Sequence, residues 1–213
     1  MNKNYTDLTI VLDRSGSMAS CKVEAETGIR TLIEEQRKDP GTTLLSLLQF
    51  DTANDWVYKA QNVHDINAEK FKLEPRGMTA LYDAIGIAIQ TTGERLAAMN
   101  EEDRPGLVTL VIVTDGLENS SQEYNVNKVR EMIERQQTQY SWKFSFLGAN
   151  QDAIMTGSLM GISAQSSATY SVGKSSNMLR AASSNVSRMK AAMSVGDVAH
   201  CVYTADERAD MNE

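Results

Sequence analysis

The sequence predicts an α/β fold in which an open, mostly parallel sheet carries helices on both faces and one antiparallel strand at its edge. Segments with the apolar pattern of strands alternate along the chain with segments of helical period, which is typical of this class. Two of the predicted strands are apolar almost throughout, as strands buried on both faces are. One further pair of strands is joined by a link that is too short for a helical crossover, so these two strands are expected to be antiparallel.

The first part of the chain predicts three strands and one helix. Leu8–Leu12 is a continuous apolar run, and the helix that follows it stops before Pro40-Gly41. The segments Thr43–Phe50 and Trp56–Ala60 have strand character and are separated by a short polar link. We therefore expect these two segments to form an antiparallel hairpin at one edge of the sheet.

The second part of the chain begins with its clearest helical period, between Leu81 and Met99. The most apolar strand of the sequence, Leu107–Val113, follows this helix. Further strands and helices alternate after it, which extends the parallel sheet. In order they are a helix around Val126–Ile133, a strand at Trp142–Leu147, a short helix at Ile154–Leu159, a small strand at Ala168–Val172 and a last helix at Met178–Met193.

Length and composition indicate one domain. A chain of 213 residues with 41% hydrophobic residues can bury its own core, and we place the domain at residues 5–194, with residues 195–213 as a loose polar extension or tail. The net charge of -7 argues against free nucleic acid as a partner, because phosphate binding needs a basic surface. No apolar run approaches the length of a membrane-spanning helix, so we expect no membrane partner.

The beginning of the chain and its cysteines favour a cytoplasmic location. Met1 leads through a few polar residues directly into the first strand, without the apolar core of a signal peptide. Cys21 and Cys201 lie far apart and have no metal-binding spacing, so reduced thiols are expected.

Three polar turns follow or flank the predicted strands at one edge of the sheet. They are Asp13–Ser17, Pro75–Thr79 and Thr114–Gly116. The first and third end the two most apolar strands, which we expect to be central neighbours. Since ligands of open α/β sheets bind outside the carboxyl ends of the strands, these turns are predicted to form the functional site.

The side chains of these turns supply oxygen atoms only. Asp13 and Asp115 would contribute carboxylates, while Ser15, Ser17 and Thr79 would contribute hydroxyls. Hard divalent cations such as Mg²⁺ prefer such ligands. Because hydroxyls add no charge, a metal held in this way can accept one more carboxylate from outside. We therefore predict a metal site that serves binding and not catalysis.

The pattern Asp13-x-Ser15-x-Ser17, followed by Thr79 and by Thr114-Asp115-Gly116, resembles the von Willebrand factor A (VWA) domain family and its metal-ion-dependent adhesion site (MIDAS). The resemblance implies a Rossmann-like sheet with these five side chains around Mg²⁺ or Mn²⁺, bound directly or through water. Where the family often has two glycines before the threonine, this chain has Gly77-Met78.

The resemblance also implies a protein partner whose Asp or Glu completes the metal shell. Similar stand-alone bacterial and phage domains work with AAA+ ATPases, stress-response systems or phage structural components. We expect Asp51, Tyr82, Asp83 and Asp152 to lie near the same edge and to form the rim of the partner site. Asp83 falls in the first turn of a helix, where a capping role is the more ordinary one.

Two other functions remain open from the residues. A phosphotransferase of the haloacid-dehalogenase type would use Asp13 as its nucleophile, but it needs a second carboxylate at position 15, where this chain has Ser15. A structural or assembly role would keep the metal only to stabilise the loops. No phosphate-binding glycine motif and no Ser-His-Asp arrangement is present.

Overall fold

The structure is a computed structural model, and it describes residues 1–149 and 152–212. Within these residues, strands and helices alternate as the sequence predicts. The strands are β1 Asn2–Asp13, β2 Thr42–Phe50, β3 Asn54–Asn62, β4 Pro105–Thr114, β5 Lys143–Ala149 and β6 Ser167–Tyr170. The helices are α1 Lys22–Lys38, α2 Leu81–Ala97, α3 Val126–Tyr140, α4 Ala153–Leu159, α5 Ser175–Ser194 and α6 Ala205–Asp210.

The six strands form one sheet in the order β3-β2-β1-β4-β5-β6. All neighbouring pairs are parallel except β2 and β3, which pair antiparallel at the edge. The predicted fold class is therefore confirmed, including the edge hairpin. The expectation that the two most apolar strands are central neighbours is also correct, since β1 pairs with β4 with Leu12 beside Val113.

The helices cover the sheet on both faces, and each face has its own apolar core. One core joins α1 and α5 to the sheet through side chains such as Ile29, Leu32 and Met178. The other joins α2 and α3 to the opposite face through Ile85, Ile89 and others. The helical period between Leu81 and Met99 thus corresponds to a buried face of α2. In the part of the chain that the structure describes, no helix is long and apolar enough to cross a membrane.

The segment after α5 is not the loose tail that we expected. Tyr203 is buried, and the Met211 side chain has no exposed surface. Residues 195–212 include α6, which begins with a capping box between Thr204 and Glu207. This helix was not predicted because it has only six residues, most of them charged, and no apolar period. Glu213, the last residue of the expected tail, lies outside the described residues.

This C-terminal segment packs along the outer side of β6. The guanidinium of Arg208 donates to the carbonyl oxygens of Ser167 and Gln165, at 2.7 and 2.9 Å. The Asn212 amide donates to the carbonyl oxygen of Thr169 at 3.1 Å. These bonds satisfy backbone groups of an edge strand, which would otherwise be open to pairing with another chain.

We expect Met211→Ala to lower the free energy of unfolding by about 2 kcal/mol, because it removes a fully buried side chain from the core. Urea denaturation measures this change. Val198→Ala is the matched control, since Val198 lies in the same segment but is exposed, and it should leave the stability nearly unchanged. Equal effects of the two substitutions would mean that the segment does not pack as described.

Candidate functional site

Asp13 is the last residue of β1 and is completely buried. Its two carboxylate oxygens accept different hydrogen bonds. Oδ1 accepts the backbone N–H of Ser15 at 2.6 Å, and Oδ2 accepts the hydroxyl of Thr114 at 2.6 Å. The Asp13 carboxylate therefore stabilises the turn of its own loop and links the end of β1 to the end of β4.

The serines of the same loop continue this network to the neighbouring strand end. The hydroxyls of Ser15 and Ser17 lie 3.0 Å apart, so both side chains face the same side of the loop. Ser17 also donates to Oδ1 of Asp115 at 2.6 Å. Asp115 follows β4 directly, and the parallel pairing of β1 with β4 is what brings the two loops together.

Thr79 lies on the loop that precedes α2, next to the loops that carry Ser17 and Asp115. Its backbone N–H donates to the side-chain oxygen of Asn119 at 2.9 Å, and its carbonyl oxygen accepts the N–H of Asn119 at 3.0 Å. A Cβ added to Gly116 would fall 2.9 Å from Oγ1 of Thr79 and 3.7 Å from Oγ of Ser17. Gly116 thus leaves room between these two hydroxyls that any larger residue would fill.

The two carboxylates of the site are buried or half-buried, and in the described part of the chain neither forms an ion pair with Lys, Arg or His. Burial raises the pKa of Asp13 to about 6, although hydrogen bonds from Thr114 and Ser15 oppose the shift. Burial also raises the pKa of Asp115, against the hydrogen bond from Ser17. A buried and a half-buried carboxylate with no ion-pair partner among the described residues are costly, and a bound cation would relieve that cost.

The chemistry of these groups suits a hard divalent cation. Two carboxylates and three hydroxyls give oxygen ligands only, and Gly116 leaves space between two of them. Among the described residues no group of three or more His, Cys, Asp or Glu side chains is placed to hold a metal. A site at this edge would therefore depend on the hydroxyls as well as the two carboxylates.

Arg14 follows Asp13 but turns away from the two carboxylates. Its Nε donates to Oδ2 of Asp51 at 3.0 Å, and Nε of Arg76 donates to the same oxygen at 2.8 Å. Both guanidinium groups also contact Asp55. We call Arg14, Asp51 and Arg76 the arginine clamp, because together they hold the loop after β1 against the loop that carries Thr79.

A second set of contacts fixes the other side of Thr79. The Asp83 carboxylate accepts three backbone N–H groups, from Gln122, Glu123 and Tyr124, at 2.8 to 3.0 Å. In the opposite direction, Oε2 of Glu118 accepts the N–H of Tyr82 at 3.0 Å. The start of α2 and the loop after β4 are therefore tied together by two carboxylates.

The predicted rim residues all lie on loops or helix starts at the carboxyl edge. Asp51 and Asp83 are buried, and their carboxylates are occupied by groups of the same chain. Tyr82 is half-buried. Asp152 is exposed and caps α4 by accepting the N–H of Met155 at 2.9 Å. The rim role itself stays a prediction for all four residues.

The sequence predicted no individual role for four residues that shape the site, namely Thr114, Arg14, Arg76 and Asn119, although the first three lie in the predicted turns. Thr114 could have been recognised from its place immediately before Asp115 at the end of a buried strand. The other three gave no pattern that distinguishes them from surface residues. Their roles depend on which loops meet in space.

The fold and these residues define a class of protein, an open α/β sheet domain with an oxygen-lined site at the carboxyl ends of its central strands. The family model for the von Willebrand factor type A domain matches residues 7–185, and the chain belongs to this family. No curated protein matches the chain.

Solved structures share the fold at low sequence identity. Proximal thread matrix protein 1 from the mussel byssus, with a zinc-occupied MIDAS motif, is 16% identical with a TM-score of 0.61, covering 86% of this chain and 46% of that one. A von Willebrand factor type A protein from Catenulispora acidiphila is 13% identical with a TM-score of 0.61, covering 86% and 43%. Manganese-loaded TRAP protein from Plasmodium vivax is 15% identical with a TM-score of 0.55, covering 83% and 72%. The chain thus spans less than half the length of the first two.

We expect Asp51→Asn to destabilise the protein by about 2–3 kcal/mol at pH 7, because it replaces the charged partner of the buried Arg14 guanidinium by a neutral amide. Burial raises the pKa of Asp51, but hydrogen bonds from Arg76, Ala53 and Arg14 outweigh it and the pKa is lowered overall. The ionised carboxylate therefore stabilises the fold at pH values above its ordinary pKa of about 4. This stabilisation is lost as the pH falls through the lower pKa that Asp51 has in the folded protein.

Urea denaturation of wild type and variant in steps from pH 7 downward tests this expectation. The difference in stability should be largest at neutral pH and should shrink in acid. Asp55→Asn is the matched control, since Asp55 contacts the same arginines from an exposed position and should contribute little. A difference that does not change with pH would contradict an electrostatic role of Asp51.

Proposed function

We propose that this protein is a non-enzymatic, metal-dependent interaction module that binds an Asp or Glu side chain of a protein partner. The observation that carries the proposal is the meeting of Asp13, Ser15, Ser17, Thr79 and Asp115 at one edge of the sheet, with two carboxylates that form no ion pair within the described residues. These five residues would hold Mg²⁺ or Mn²⁺, directly or through water. The zinc and manganese of the similar structures support a divalent cation at such a site.

The ligand set explains why a carboxylate is the expected partner group. When bound, the divalent ion supplies a Lewis acid. The two aspartates balance its charge, and a partner carboxylate can satisfy its remaining affinity for ligands. Ser15, Ser17 and Thr79 keep that affinity high because hydroxyls carry no charge. The chain's own part is to hold these oxygens in place through the contacts of Asp13, Thr114 and Asn119.

The phosphotransferase alternative is less well supported. The haloacid-dehalogenase reaction needs a second carboxylate two residues after the nucleophile, and this chain has Ser15 at that position. The family assignment also favours interaction over catalysis.

Calorimetric titration with Mg²⁺ and Mn²⁺ tests the metal site. We expect saturable binding to the wild type and none to Asp13→Ala. Gly116→Ala should weaken binding about tenfold or more, because the added methyl group displaces the hydroxyl of Thr79. Gly173→Ala is the matched control, since its added Cβ would meet no atom within 4 Å, and it should bind as the wild type does. Equal binding by all four proteins would rule out a metal at these residues.

Affinity capture of partners in Mg²⁺ and in EDTA tests the binding role. We expect a protein partner to be retained by the wild type in Mg²⁺ and released by EDTA, with Asp13→Ala retaining none. Substitution of the partner's contacting Asp or Glu by Asn or Gln should abolish capture, since the amide carries no charge for the metal. Equal recovery in Mg²⁺ and EDTA would instead favour the structural role, in which a metal only holds the loops.

A further inference from the structure

Two large apolar side chains are exposed immediately beside the proposed metal site. Met78 is 52% exposed and precedes Thr79, and Leu117 is 66% exposed and follows Gly116. Most side chains of this size in the chain are buried in the two cores. Apolar side chains exposed together next to a binding site indicate an interaction surface.

Hydrogen bonds hold the loops of Met78 and Leu117 together. The loops that carry them are joined by the hydrogen bonds between Thr79 and Asn119, and Gly116 lies against the Thr79 side chain. Met78 and Leu117 therefore belong to two loops that meet at one of the proposed metal ligands. Their separation is held by the same contacts that hold that ligand.

Two further apolar side chains are exposed at the start of a neighbouring helix. The strand β5 lies next to β4, and Ile154 and Met155 are exposed in the first turn of the helix that follows β5. By contrast, the nearby cation Arg76 is already bonded to Asp51 and Asp55. The surroundings of the site thus offer a partner apolar contacts, and the guanidinium of Arg76 is engaged within the chain.

We propose that the site binds an acidic side chain whose neighbours in the partner are apolar, with Met78 and Leu117 contacting those neighbours. The inference rests on the proposed function and adds the class of partner segment. A single partner carboxylate would make only one contact with the metal, so the rest of the affinity must come from the surface around it. Apolar neighbours would also exclude water, and the attraction between metal and carboxylate is stronger at lower dielectric.

Two blocked peptides, Gly-Leu-Asp-Leu-Gly and Gly-Ser-Asp-Ser-Gly, test the inference in an NMR titration of the labelled protein. In saturating Mg²⁺ we expect the leucine peptide to bind about tenfold more tightly than the serine peptide, because its two side chains bury apolar surface. Binding of both should disappear in EDTA. In the double variant Met78→Ser, Leu117→Ser the two peptides should bind with equal affinity, close to that of the serine peptide for the wild type.

Tyr140→Ser is the matched control, since Tyr140 is an exposed aromatic residue at the far end of α3, and it should keep the tenfold preference. Equal affinity of the wild type for both peptides, with binding that still needs Mg²⁺, would overturn this inference and leave the proposed function intact. A preference for leucine that persists in EDTA would also overturn it. Absence of any Mg²⁺-dependent binding would count against both proposals.

Discussion

The parallel pairing of β1 with β4 is the interaction on which the rest of the site depends. It sets Leu12 beside Val113, so that the next residues, Asp13 and Thr114, end their strands together. The hydroxyl of Thr114 can then reach Asp13, and the serines after Asp13 can reach Asp115. A shift in this register would separate the two carboxylates, and it is opposed by the burial of both strands on two faces.

Two sets of contacts hold the remaining ligand candidate against this pair of strands. The arginine clamp ties the loop before Thr79 to the loop after β1. On the other side, Asp83 and Glu118 tie the start of α2 to the loop after β4. Thr79 lies between the two sets, so its hydroxyl is held by contacts on both flanks. Such support is what allows weak hydroxyl ligands to be held in a fixed arrangement.

The sequence was most informative where a pattern repeats. The period between Leu81 and Met99 and the apolar runs at Leu8–Leu12 and Leu107–Val113 predicted elements that the structure contains. They also predicted the edge of the sheet at which Asp13 and Asp115 meet. The short helix α6 was missed because a six-residue, mostly charged helix has no apolar period, and the segment that contains it is held by Met211 and the contacts of Arg208.

The site itself was predictable only in part. The spacing of Asp13, Ser15 and Ser17 pointed to one loop, and the ends of the strands brought in Asp115. The arginine clamp could not be foreseen, because Arg14, Asp51 and Arg76 lie far apart in the chain and none belongs to a repeating pattern. Asp51 was expected at the rim, whereas its carboxylate is buried between two guanidinium groups.

Environment divides the acidic side chains of this edge into two kinds. Asp51, Asp83 and Glu118 accept hydrogen bonds from guanidinium or backbone N–H groups, so their carboxylates hold loops of the chain together. Among the residues that the structure describes, Asp13 and Asp115 have hydroxyl and N–H donors but no cationic partner, and burial raises the pKa of both. Asp51 and Asp83 thus stabilise the fold, whereas Asp13 and Asp115 favour the binding of a positive charge. This local electrostatic environment, and not the overall acidity of the chain, makes this edge of the sheet a candidate metal site.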